Sequence, residues 1–241
     1  MNARLESSAA ALDVQQPIGQ IAVELPGATA VFRRLKLDFC CGGQISLQQA
    51  VGDKGLDLRA VVADLAALQR SDEVPALGQP ADMIEHILRR YHAVHRAQLP
   101  ELLRMARRVE AVHREHPAVP VGLADLLEKM EQELLSHMEK EEQILFPMML
   151  EEKQTMVRHP IQMMRHEHID HGATLERLSA LTHDATPPEG ACNTWRALYA
   201  GIAQLHDDLI NHIHMENNML FVQFEAASDG AGCGGRTCAT C

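Results

Sequence analysis

Residues 137–147 read His-Met-Glu-Lys-Glu-Glu-Gln-Ile-Leu-Phe-Pro, and residues 212–221 read His-Ile-His-Met-Glu-Asn-Asn-Met-Leu-Phe. Superimposed at an offset of 75 positions, they share His-xxx-Glu-xxx-Leu-Phe: His137, Glu141, Leu145 and Phe146 against His212, Glu216, Leu220 and Phe221. A spacing of four is about one helical turn, so each His and its Glu lie on one helix face. The same face continues upstream in apolar residues. Leu123, Leu127, Met130 and Leu134 lead into His137, and Trp195, Leu198, Ile202, Leu205 and Leu209 lead into His212. Ile144, Met148 and Met219 extend the stripes downstream. Such a stripe faces a bundle core. A carboxylate on it is buried, and an unpaired buried charge costs several kcal/mol or neutralises. A cation shared between the two helices removes that penalty.

Working outward, a second repeat appears. His92-xx-His95 matches His168-xx-His171 at an offset of 76. One pair lies on the seam Leu88, His92, His95, Leu99, Leu102, the other on Ile161, Met164, His168, His171, Leu175, Leu178. Each half therefore supplies a His on its first helix and a His-xxx-Glu on its second. An up-down four-helix bundle brings all four contributions to one level about a pseudo-twofold axis. Spacing alone leaves open which member of each His-xx-His pair is used. One His from each pair, with His137, His212, Glu141 and Glu216, makes a set for two metal ions. With both Glu bridging, each ion receives two nitrogens and two oxygens, an oxo or hydroxo bridge adds a fifth ligand, and one position stays open. Imidazole with carboxylate suits iron or manganese. The pattern lacks the Glu-xx-His pairs of ferritin-like carboxylate sites.

The rest of the 241-residue chain is consistent with this. Its 14 His all fall between His86 and His214, and its net charge is -11. Residues 81–225 carry 14 basic and 23 acidic side chains, most of the excess. An acidic chain with only short basic runs is not expected to bind nucleic acid. The opening MNARLESSAAALDVQQ has no apolar signal core, and the run Ile144–Leu150 is far too short to span a membrane, so a soluble cytoplasmic protein is expected. Residues 1–70 read as a small helical N-terminal domain, frayed over 1–16, with helices near 18–25, 27–36, 45–52 and 57–69 separated by Pro26, Cys40-Cys41-Gly42-Gly43 and Gly55. Residues 71–80 have linker composition. Residues 81–225 read as four long helices, broken near His116-Pro117, His159-Pro160 and Pro187-Pro188-Glu189-Gly190. Residues 226–241 read as a flexible Cys-rich tail. The fold class is all-α.

In a reducing compartment the six cysteines are reactive or metal-binding rather than a disulfide framework. Cys40 and Cys41 can bridge only through a strained eight-membered ring, the readily reduced kind. Two thiols on a Gly-rich loop can pass electrons, bind metal transiently or react with nitric oxide. Cys238-Ala-Thr-Cys241, with Cys233, is a weaker metal motif, and Cys192 reads as structural. His113, His116, His159, His183 and His206 read as surface or helix-end residues. His86, His166, His214 and Glu167 are candidates for an outer layer around the ions.

Asp38-Phe39-Cys40-Cys41-Gly42-Gly43, Arg90-Tyr91-His92, the stretch His137–Pro147 and His212–Asn218 together resemble the di-iron proteins for repair of iron centres, from about Pro17 to about Phe224. That resemblance implies a hemerythrin-like up-down four-helix bundle behind a small vicinal-Cys domain. It implies two iron ions per chain, held by His92, His137, His168 and His212 with Glu141 and Glu216 bridging, which chooses His92 over His95 and His168 over His171. Cys40 and Cys41 are then the reactive thiols. The function implied belongs to nitrosative and oxidative stress: restoring damaged iron–sulfur clusters, as an iron source, and binding nitric oxide at the di-iron centre. Related members are described as regulators of cell morphogenesis and NO signalling. The expected partners are nitric oxide, dioxygen, damaged iron–sulfur proteins and a reductant, with the N-terminal domain as the candidate element for a homodimer. Two alternatives are reduction of nitric oxide to nitrous oxide, which would make the chain an enzyme, and hemerythrin-like oxygen binding. His166, His171 and the Cys-rich tail are departures from the family pattern.

Overall fold

A computed structural model of the protein describes residues 12–25, 27–68, 78–151 and 156–226. They fall into two compact units, one within residues 1–76 and the other within 77–241. Among the described residues there is no strand, only an isolated bridge between Pro17 and Ser46.

The first unit holds four short helices: α1 (Ile18–Glu24), α2 (Ala28–Arg34), α3 (Leu47–Asp53) and α4 (Leu58–Ala66). Ser46 caps α3 by accepting the Gln49 N–H at 3.2 Å, and Asp57 caps α4 by accepting the Arg59 N–H at 2.9 Å. Ile18, Ile21, Phe32, Phe39, Leu47, Val51 and Leu65 form its buried core, with the Phe32 and Phe39 rings 5.8 Å apart. Residues 13–16, expected to fray, are tied down. The carbonyls of Val14 and Gln16 accept the N–H groups of Gln48 and Leu47 at 3.0 and 3.1 Å, because a helix N-terminus leaves those donors unpaired.

The second unit is built from four long rods. The first runs through α5 (Pro80–Ile87), a π turn (Leu88–His92) and α6 (Ala93–Val112). The second runs through α7 (Leu123–Lys140), a π turn (Glu141–Leu145) and α8 (Phe146–Leu150). The third is α9 (Arg158–Thr182). The fourth runs through α10 (Asn193–Met215), a π turn (Glu216–Leu220) and α11 (Phe221–Ala226). Packing is cyclic: α6 lies against α7 and α10, and α9 against the same two. The expected break at His159-Pro160 lies earlier. Pro160 sits in the first turn of α9, where its missing N–H costs nothing.

The predicted seams are buried except around the π turns, where Ile144 is exposed and Leu88, Met148 and Met219 are only partly buried, because a widened turn rotates the stripe off the core face. Leu99, Leu102, Leu127, Met130, Leu134, Leu178, Leu198, Leu205 and Leu209 fill the bundle on one side of the His and Glu level. Each such side chain contributes about 1.5–3 kcal/mol. On the other side, Ile84, Ile87, Leu145, Phe146, Ile161, Leu220, Phe221 and Phe224 form a second apolar cluster. No helix among the described residues is long and apolar enough to cross a membrane. The Cys-rich tail, including Cys233, Cys238 and Cys241, and residues 71–77 of the expected linker lie outside the described residues.

Candidate metal centre

Three of the four rods carry a π turn, and each turn contains one of the buried polar residues: His92 ends the first, Glu141 opens the second and Glu216 opens the third. Pro147 follows the second turn, but Glu216–Leu220 forms with no proline nearby, so proline is not the common cause. Such single-turn bulges recur at functional sites. Here they set the level at which side chains from different rods converge.

His92, His168, Glu141 and Glu216 are fully buried, and His137 and His212 nearly so. They form two clusters that share both glutamates: His92, His212, Glu141 and Glu216, and His137, His168, Glu141 and Glu216, with ligand atoms inside each cluster within 4.8 Å of one another. His92 Nε2 lies 3.2 Å from His212 Nε2, and His168 Nε2 lies 3.1 Å from His137 Nε2. One oxygen of Glu141 is 3.4 Å from His92 Nε2 and the other 3.4 Å from His137 Nε2. Glu216 does the same, at 3.0 Å from His212 Nε2 and 3.1 Å from His168 Nε2. Each carboxylate thus spans both imidazole pairs.

The outer faces of these rings decide what the inner faces can do. Glu142 lies 2.7 Å from His92 Nδ1, Glu167 2.9 Å from His137 Nδ1, and Asn217 Oδ1 2.9 Å from His168 Nδ1. Arg96 in turn holds Glu142 at 2.7 Å, and Lys140 holds Glu167 at 2.7 Å. An acceptor at Nδ1 places the proton of a neutral imidazole there and leaves Nε2 as a lone pair. The Nε2 lone pairs then face one another and the glutamate oxygens. That repels unless a cation lies between them. Both oxygens of Glu141 and one of Glu216 have no hydrogen-bond partner although buried, which fits the same conclusion. Adjacent ligands at about 2.1 Å from one ion stand about 3 Å apart, close to the spacing found.

With protein groups alone, the cluster balances itself by protons. Burial pulls His137 down, but the Glu141 and Glu167 carboxylates outweigh it and raise it to about 10. Burial likewise opposes, and Glu141 wins, in raising His92. Burial and Glu216 push Glu141 up, yet His137 and His92 hold it at about 2. Glu216 falls well below the usual carboxylate range, against its burial, because His212 and His168 face it. Burial lowers His212 despite Glu216.

His95 and His171 are buried but meet neither glutamate cluster. Burial first, then neighbouring imidazoles, lower them to about 2 and about 3. His166 is exposed, His86 meets Tyr91 edge-on at 5.8 Å, and His214 lies 3.1 Å from Asn218 Nδ2. Of the outer candidates Glu167 touches a ring of the cluster, that of His137. Sequence reasoning missed Glu142 and Asn217. The signal was present: each follows its glutamate directly, so the two sit at the same offset of 75. Phe146 and Phe221, also at that offset, stack on His92 and His168 at 5.9 and 6.0 Å and exclude water from that side.

In the first unit, Cys40 Sγ and Cys41 Sγ are 3.7 Å apart, so the two are not joined as a disulfide. Asp38 shapes the loop. Its Oδ1 accepts the N–H groups of Cys40 and Cys41 at 3.2 and 2.9 Å, and its Oδ2 accepts that of Gly42 at 2.9 Å. A Cβ at Gly42 would stand 3.0 Å from Oδ2 and 3.2 Å from the Asp38 carbonyl, so a side chain there would crowd Asp38 and require it to shift. The Cys41 thiol, then burial, push the Cys40 thiol well up, keeping it protonated. Cys192, at the start of α10, lies 3.2 Å from His113 Nε2.

Residues 83–224 match the family model described as the hemerythrin HHE cation-binding domain, and residues 14–69 match a domain of unknown function, DUF542. The chain is 48% identical over 209 residues to the iron–sulfur cluster repair protein YtfE of Dickeya chrysanthemi, covering 86% of this chain and 95% of that one. It is 48% identical over 208 residues to the protein of that name in Cronobacter sakazakii, with 86% and 94% covered. For that of Escherichia coli O157:H7 the identity is 46% over 208 residues, with the same coverage of 86% and 94%.

Proposed function

The chain belongs to the family of iron–sulfur cluster repair proteins built on a hemerythrin HHE cation-binding domain, and from that premise we propose that it holds two iron ions and serves repair of damaged iron–sulfur clusters. His92 and His212 would hold one ion and His137 and His168 the other, with Glu141 and Glu216 available to both. When bound, the iron pair supplies an affinity for nitric oxide and a store of iron from which clusters are rebuilt. The observation that carries this reading is the convergence of four buried Nε2 atoms in pairs 3.1 and 3.2 Å apart, with Glu141 and Glu216 shared between them.

The chain's own groups do the rest. Glu142, Glu167 and Asn217 keep the proton of three imidazoles on the outer nitrogen. Phe146 and Phe221 keep water out. The Cys40–Cys41 pair is a mild thiol reductant: closing its disulfide delivers two electrons and two protons to an oxidant such as two nitric oxide molecules, giving nitrous oxide and water, and ring strain makes the disulfide readily reduced again. A cytoplasmic setting belongs to this reading, because it keeps that pair reduced.

Anaerobic titration of the reduced, iron-loaded protein with nitric oxide tests the proposal. Visible and Mössbauer spectra are read beside headspace nitrous oxide. The expected result is about two irons per chain and stoichiometric nitric oxide binding. Purified protein with much less iron would count against the metal centre. Sustained nitrous oxide formation with a reductant would move the function to nitric oxide reduction. Reversible oxygenation without autoxidation would move it to oxygen carriage.

A further inference from the structure

The two halves of the bundle are related by the repeat, and their differences are therefore informative. Glu142 and Asn217 occupy equivalent positions and bind the outer nitrogens of His92 and His168. Glu167, just before His168, binds the outer nitrogen of His137. Its counterpart, just before His92, is Tyr91. Tyr91 cannot reproduce the contact, because its ring lies flat on His212, with centroids 5.2 Å apart and an interplanar angle of 11°. His212 Nδ1 is left without a partner, alone among the outer nitrogens of the four imidazoles, although fully buried.

An orphan of matching chemistry that packs against His212 is His95. Both of its ring nitrogens are buried with no partner, and its ring lies 5.5 Å from that of His212, tilted by 32°. Tyr91 stacks on His95 as well, at 6.4 Å and 22°, so one phenol sets both rings. An imidazole bound to metal through Nε2 carries its proton on Nδ1 and needs an acceptor, and a singly protonated imidazole offers one. We infer that His95 is the positioning residue for His212, accepting its Nδ1–H directly or across one water, and so secures the ion held by His92 and His212. His171, its counterpart by sequence repeat, lies edge-on to His137 at 4.9 Å, but Glu167 already serves His137. His171 therefore has no such task.

This rests on the two-ion reading above, and the experiment separates the two claims. Full-length protein is loaded with 57Fe without oxygen, and iron loss to bipyridine is timed beside Mössbauer spectra. His95→Phe keeps a flat ring against Tyr91 and His212 but removes both nitrogens. It should release one iron about 10–100-fold faster, leave the other unchanged, and alter one of the two quadrupole doublets. His95→Gln, which restores an acceptor, should bring release back to within about threefold of the parent. If His95→Phe does not fold, His95→Leu makes the same comparison. Release and spectra identical to the parent would overturn the inference, as would an equal loosening in His171→Leu. A parent protein unable to hold two irons would instead overturn the metal centre itself.

Discussion

A glutamate buried in an apolar seam is expensive, and this bundle carries two with no exposure to solvent, Glu141 and Glu216. Their cost is recovered only if something positive sits between them and the four imidazoles. Glu141→Leu should therefore drop iron from about two per chain to below one, measured on anaerobically prepared protein. The metal-free variant should be less stable than the metal-free parent by about 3–5 kcal/mol, because His137 and His92 lose the buried carboxylate that faces them. Unchanged iron would assign Glu141 a purely structural role. Asn217 offers a second test. Its Oδ1 is 2.9 Å from His168 Nδ1. Asn217→Leu should weaken iron binding about 10–100-fold in a chelator competition, with helicity unchanged. At this scale the sequence was nearly sufficient. His137, Glu141, His212 and Glu216 announce themselves as polar residues at core spacing. Glu142 and Asn217 did not, since a polar residue beside a seam is ordinarily a solvated one.

Among elements, α6 and α10 pack closely at Gly201. A Cβ added at Gly201 would meet Leu102 Cδ2 at 2.6 Å. Leu102 is buried and its neighbours are packed, so it cannot swing away freely. Gly201→Ala should destabilise the protein by about 1–3 kcal/mol in chemical denaturation, through overpacking. Were the cost negligible, the two helices would have to yield more easily than a close-packed core allows. The π turns were not legible in the sequence. A widened turn needs no signature residue, as Glu216–Leu220 illustrates, and it adds a residue that rotates everything beyond it by about 100°. Helix boundaries fared better because capping chemistry is local. Ser46 and Asp57 start α3 and α4 as their side chains suggest, whereas Pro160 begins a helix that its type alone suggested it would interrupt.

For the whole molecule the clearest handle is pH. In metal-free protein, His137 is raised from 6.5 to about 10, so its contribution is complete below 6.5 and fades as pH rises towards 10. Glu141 is lowered from 4.5 to about 2, so its contribution is complete above 4.5 and fades only in acid. Metal works in the opposite sense to His137: the imidazoles must be deprotonated to bind it, so affinity keeps growing as pH climbs towards about 10. The gap in Tm between iron-loaded and chelator-treated protein should therefore widen from pH 5.5 to pH 8. A gap independent of pH would exclude imidazole ligation.

The sequence by itself determined an all-α chain and a bundle with His and Glu on its seams. A 3.6-residue period and a repeat near 75 residues are properties of order along the chain, which burial and helix geometry then enforce. Spacing along the chain could not decide between His92 and His95 or between His168 and His171; the family resemblance favoured the first of each, and in the tertiary structure it is His92 and His168 that meet the shared glutamates. Two residues three apart on one seam are equivalent until helix rotation, level and π turns are set by packing against the other rods. That packing also put Tyr91 where the other half has Glu167, and left His212 facing His95.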